Sequence, residues 1–167
     1  MVPKVSLPYS ARLKKTDDQV FMEIAIRLAE ESGQRGEVPV GAVLVDEAGN
    51  IISKASNMII ELCDPTAHAE ILALRQGAVN TGNYRLTGTT LYVTIEPCAM
   101  CAGAMVLARI RRLVFGAHDP KTGACGSLYK IVDDLRLNHR IEVECGVLKD
   151  GCRAVVQDFF RAKRKGS

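Results

Sequence analysis

Two short segments constrain this chain more than anything else in it. The first is Pro65-Thr66-Ala67-His68-Ala69-Glu70, and the second is Glu96-Pro97-Cys98-Ala99-Met100-Cys101. Together they offer an imidazole, two thiols and a carboxylate, and the rest of the chain can be read as the frame that brings them face to face. Histidine is scarce, since only His68, His118 and His139 are present, so any site built on an imidazole has few candidates.

Cys98 and Cys101 lie three apart where Glu96-Pro97 opens a helix, so both sulfurs project from one face of its first turn. A helix N-terminus favours the thiolate, which is the form a metal binds. Two thiolates and an imidazole suit zinc, and three protein ligands leave the fourth tetrahedral position open for water, the arrangement of a catalytic centre. Glu70 then has the right chemistry to take a proton from that water and pass one on. Geometry sets one condition. Residues two apart on a regular helix point to nearly opposite sides, so His68 and Glu70 share a pocket only if it lies over the helix mouth. Taken singly, Cys-x-x-Cys also fits a redox pair, and a lone histidine also fits a core position.

Along the chain, Thr16 is placed to cap a helix whose first turn carries Asp17, Asp18 and Gln19, with Val20, Ile24, Leu28 and Phe21, Ala25 recurring at helical spacing up to Gly33. Val38 to Val45 and Ile51 to Ser53 read as two strands joined by a turn. Asp64-Pro65 supplies a cap and first-turn proline for a second helix running toward Gly77. A strand over Thr89 to Ile95 leads into the helix that reaches about Arg109, and Leu113 to Phe115 is a short buried strand. Gly116 to Ser127 is a polar, glycine-rich loop of the length usually kept for function. A short helix over Leu128 to Leu135, a strand at Ile141 to Cys145 and a helix from about Asp150 complete the order. Alternating helices and strands imply an α/β domain of three layers, α/β/α, around a central mixed sheet of about five strands.

Length and composition, 167 residues at 47% hydrophobic and 25% charged, fit one globular domain with a proper core. No signal pattern and no membrane-spanning apolar run is expected, which points to a cytoplasmic protein with no membrane partner. The six cysteines sit in ordinary core-forming segments and read as reduced thiols. The net charge of +3 is unevenly spread: residues 1–16 form a basic N-terminal extension, residues 17–160 are net acidic, and residues 161–167 form a basic C-terminal end of the last helix. Basic ends on an acidic body suit a polyanionic partner as well as solvated tails.

The segments Pro65 to Glu70, Asn83-Tyr84-Arg85-Leu86, Glu96 to Gly103, Val114-Phe115-Gly116-Ala117, Lys121-Thr122-Gly123 and Asp158-Phe159-Phe160-Arg161 resemble the bacterial tRNA-specific adenosine deaminases, within the cytidine-deaminase-like superfamily. That resemblance implies a cytidine-deaminase-like fold and one Zn2+ per subunit on His68, Cys98 and Cys101, with Glu70 moving protons. It implies hydrolytic deamination of adenosine to inosine at the wobble position of an anticodon stem-loop, by a homodimer. It also implies that Asn57 bonds the purine and the Ala67 backbone reads its edge, that Val38, Pro39 and Pro97 line the pocket, and that Asp119, Lys121, Phe160 and Arg161 grip RNA.

Helical spacing separates Phe160 from the apolar stripe of Cys152, Val155, Val156 and Phe159, which frees its ring to stack on a base. Lys163, Arg164 and Lys165 are then placed to meet phosphates. Two residues depart from the family pattern: His118 stands where members often carry arginine, and Cys125 replaces a small residue. The rival readings are a deaminase of free nucleosides or bases, such as cytidine or guanine, and a noncatalytic zinc-stabilised RNA-binding subunit.

Overall fold

Alternation along three consecutive buried strands sends side chains into two separate cores. The computed structural model describes residues 15–166, with side chains from residue 17 onward. Helix α1 (Lys15–Gln34) precedes strands β1 (Gly41–Val45) and β2 (Ile51–Ser56). Helix α2 (Ala69–Thr81), strand β3 (Thr90–Ile95), helix α3 (Ala99–Ala108) and strand β4 (Arg112–Ala117) follow. Strand β5 (Glu142–Cys145) and helix α4 (Lys149–Lys165) end the chain. The five strands lie in the order β2-β1-β3-β4-β5, with β1 antiparallel to both β2 and β3, and β3, β4 and β5 parallel. Ala42, Leu44, Leu91, Val93, Leu113 and Phe115 face one core, packed under α2 and α3, while Val43, Val45, Tyr92 and Val114 face the other, under α1 and α4. The expected three layers and mixed sheet are present. Among the described residues, no helix is long and apolar enough to cross a membrane.

Several local expectations are corrected by long-range partners. Helix α1 begins at Lys15, so Thr16 lies inside its first turn rather than at its cap, and the Thr16 side chain lies outside the described residues. Asp18 does more than complement a helix dipole: it is buried and receives both guanidinium nitrogens of Arg112, at 2.8 and 2.9 Å, together with the hydroxyl of Tyr92 at 2.8 Å. Val20 turns outward, and Met22 takes its place in the α1 core stripe. Gly77 does not end α2. It lies in mid-helix, where a Cβ would sit 2.4 Å from Leu44 Cδ2, so its bareness lets the helix approach β1, and the helix ends at Gly82 in the left-handed region. The helix expected over Leu128 to Leu135 shrinks to a 3₁₀ turn, Ile131–Asp133, because Val132 enters the core and Ile131 packs against it while Leu128, Tyr129 and Leu135 stay exposed.

Candidate active site

Helix α2 starts later than its sequence suggests, and the shift solves the geometric problem of His68 and Glu70. Asp64 and Pro65 belong to a separate turn in which Asp64 Oδ1 accepts the N–H and hydroxyl of Thr66, at 2.8 and 2.7 Å. His68 is the N-cap residue, in extended conformation at φ −73° and ψ 148°, and Glu70 sits in the first helical turn. The two side chains therefore converge over the helix mouth. His68 makes no capping bond, since its ring is aimed at the thiols. Asn57 fills that role from β2's end: its Oδ1 accepts the N–H of Ala69 at 2.9 Å, and its Nδ2 donates to the Val38 carbonyl at 3.0 Å.

Helix α3 repeats the device, with Cys98 as an extended N-cap residue and Cys101 in the first turn. His68 Nδ1 lies 3.7 Å from Cys98 Sγ and 3.6 Å from Cys101 Sγ, and the three ligand atoms all fall within 4.8 Å of one another. A tetrahedral zinc with Zn–S of about 2.3 Å and Zn–N of about 2.0–2.1 Å requires N···S edges of about 3.5–3.6 Å. The triangle fits that ion. Hydrogen bonding from Cys101, aided by His68, brings the Cys98 thiol down to about 4 against the opposing effect of burial. The same bond to Cys98, together with burial, pushes the Cys101 thiol up, and the bond to Cys98 raises His68. Glu70 is buried beside this triangle, and burial raises its carboxyl to about 7. A cation next to it favours the ionised form.

The site opens into a cleft of about 790 Å³ whose floor holds His68, Glu70 and Cys98. Of the residues expected to touch substrate, Val38, Asn57, Asp119, Lys121 and Phe160 line it. Pro39, Ala67 and Pro97 do not: all three are buried and stand off the lining. Alternation along the extended 38–40 segment puts Val38 and Val40 on the cleft and turns Pro39 toward Gly33. The Ala67 N–H already donates to Asp64 and its carbonyl accepts from Met58, both at 3.1 Å, while the Pro97 carbonyl accepts from Ala124 at 2.8 Å. Arg161 is also off the cleft, pairing with Asp158 at 3.0 Å one turn back on α4. Phe159 is half-buried under Lys163, Phe160 stands 5.3 Å from it and lines the cleft, and Val156, grouped by helical spacing with the core stripe, lines the cleft too.

Sequence reasoning missed Glu96, which it used only to open a helix. The carboxylate is buried and organises the loop from His118 to Ser127. Its Oε1 accepts the N–H groups of Cys125 and Ser127, at 3.1 and 2.9 Å. Its Oε2 accepts the N–H of Asp119 and pairs with His118 Nδ1, both at 3.1 Å, and also takes the Ser127 hydroxyl. These bonds hold the carboxyl below the usual carboxylate range although burial acts the other way. The only signal in the sequence was an acid next to a proline at a strand end, which names no partner.

Comparison with known proteins agrees with this geometry. Residues 15–117 match the family model for the cytidine and deoxycytidylate deaminase zinc-binding region. A tRNA-specific adenosine deaminase of Haemophilus influenzae is 52% identical over 93% of this chain and 90% of its own length. One from Bacillus subtilis is 46% identical, over 90% and 92%. A solved structure from work on A-to-I editing by tRNA:A34 deaminases at the wobble position of transfer RNA superposes with a TM-score of 0.79, at 44% identity, over 81% of this chain and 98% of that one.

Proposed function

The chain belongs to the cytidine and deoxycytidylate deaminase zinc-binding family, alongside tRNA-specific adenosine deaminases, and from this we propose that it hydrolyses the wobble adenosine of a tRNA anticodon to inosine. The observation that carries the chemistry is the His68, Cys98 and Cys101 triangle with the Glu70 carboxyl beside it at the floor of a cleft. Zinc, when bound there, supplies a water activated as a nucleophile near neutral pH. Glu70 accepts the proton of the attacking water and delivers a proton to the exocyclic nitrogen as C6 gains oxygen and ammonia departs. Asn57 acts first on the protein, fixing the α2 mouth against the Val38 carbonyl, and so holds the frame in which His68 and Glu70 converge. Val38, Val40 and Ile59 give the cleft apolar walls for a base drawn out of its loop. Asp119 uses its carboxylate to shape the loop, accepting from the backbone of Lys121 and Thr122 at 2.9 and 3.2 Å, and so presents Lys121 to the RNA.

The same reading makes the enzyme a cytoplasmic homodimer. Exposed apolar side chains on one helix, Met100 and Leu107 of α3 at 37% and 77% exposure, support a self-association surface. Sedimentation velocity on the zinc-loaded protein tests it, and a monomer at micromolar concentration would remove this part. The function is tested by incubating the protein with an anticodon stem-loop RNA and measuring inosine by mass spectrometry of the digested nucleosides. Inosine at the wobble position is the expected result. Brisk deamination of free cytidine or guanine with the stem-loop untouched would overturn the tRNA assignment.

A further inference from the structure

Helix α4 carries two apolar or mixed faces, and only one of them packs. Cys152, Val155 and Phe159 turn toward the domain, with Cys152 fully buried. Arg153, Val156, Gln157 and Phe160 all line the cleft, at the i, i+3, i+4, i+7 spacing of a single helix face. The helix is thus a wall of the substrate cleft over two turns, and Arg153 is its charged residue.

The charge balance of the cleft gives Arg153 its meaning. Three carboxylates line the cavity, and each is engaged within the fold: Glu70 is buried beside the metal triangle, Glu96 is filled by loop donors, and Asp119 is filled by Lys121, Thr122 and the Thr122 hydroxyl. Among the described residues, neither the Arg153 guanidinium nor the Lys121 ammonium has a carboxylate partner, and of the arginines without one Arg153 is the one that lines the cleft. An uncompensated guanidinium on a rigid helix, facing into a cleft, presents a planar fork of donors whose natural complement is a phosphate.

We propose that Arg153 binds a backbone phosphate of the RNA strand whose base enters the site, adding a phosphate contact two turns before Phe160 on the cleft face of α4. This rests on the RNA reading of the substrate, which the experiment separates from it. Each phosphate neutralised contributes about 0.7 (single strand) to 0.9 (duplex) to the slope of log affinity against log salt. Losing one contact therefore lowers the slope by that amount, equivalent to about a five- to eightfold weaker affinity at 0.1 M salt if the lines converge near 1 M. The probe is a fluorescent anticodon stem-loop with purine ribonucleoside, which has no amino group to lose, at the wobble position, titrated by anisotropy across a KCl series with zinc-loaded protein.

Arg153→Met, which keeps the aliphatic stem, should flatten the slope by about one contact, and Arg153→Lys should restore most of it. Arg136→Ala, a cation outside the cleft that is paired with Asp134, should leave the slope unchanged. An Arg153→Met slope equal to wild type, or a loss that Arg153→Lys does not recover, overturns the phosphate contact. If wild type itself neither binds nor deaminates the stem-loop, the RNA reading fails and the contact fails with it, a result distinct from a binding wild type with an unchanged variant.

Discussion

Replacing Glu96 by Gln tests how the loop from His118 to Ser127 is held. The side chain is buried, and its two oxygens collect the N–H groups of Asp119, Cys125 and Ser127 together with His118 and the Ser127 hydroxyl. A glutamine keeps one oxygen, best spent on the Cys125 and Ser127 amides. Its NH2 then faces the other three groups. The Ser127 hydroxyl can rotate and the imidazole can change tautomer to accept, but the Asp119 N–H cannot become an acceptor. Orphaning that donor costs about 1–3 kcal/mol, and turning two charge-assisted bonds into neutral ones costs about 1 kcal/mol each, so about 3–5 kcal/mol in all. For a domain of this size that is a fall of roughly 6–20 °C in melting temperature.

The effect carries a pH signature. Because the folded carboxyl titrates below its ordinary value of 4.5, its stabilisation is complete above that value and is lost as pH falls through the depressed one. Wild type and Glu96→Gln should therefore differ most near neutral pH and converge in acid. Thermal unfolding across pH, with hydrogen exchange at the Asp119, Cys125 and Ser127 amides, measures both. A melting shift under 2 °C with unchanged protection of Asp119 would refute the reasoning.

Other perturbations act on the metal, the proton and the frame. Glu70→Ala should keep zinc and RNA binding and lose turnover by about 10²- to 10⁴-fold or more, checked by metal analysis and single-turnover inosine formation; retained turnover would remove the proton-transfer role. Cys101→Ala should bring bound zinc well below one per chain by elemental analysis of the purified protein, and a full complement would mean the triangle is not the metal site. Asp18→Ala leaves the Arg112 guanidinium, 15% exposed, without its bidentate partner and should cost about 3–5 kcal/mol in urea unfolding with little change in zinc content.

Much of the fold was legible because its signals are local. The two apolar faces of β1, β3 and β4 follow from a period of two, and the α4 stripe containing Cys152 and Phe159 follows from a period near 3.6. The errors fell where a residue's partner is distant. Asp18 looked like a first-turn acid until Arg112, 94 positions on, was beside it, and Gly77 looked like a helix end until Leu44 occupied the space of its missing side chain.

The sequence by itself determined the chemistry: which imidazole, which thiols and which carboxylate, because a metal's preference for ligand type is a property of residues and their spacing. Tertiary structure alone decided how those groups converge. His68 meets Cys98 and Cys101 across 30 and 33 positions because Asn57 takes over the capping of α2 and leaves the imidazole free to turn toward the thiols. Glu96 grips a loop up to 31 positions away, and α4 lends the cleft Val156, which the sequence had grouped with the core stripe, beside Phe160. Local periodicity records which side of an element is apolar, whereas the partner of a buried polar group is fixed only when the whole chain has packed around it.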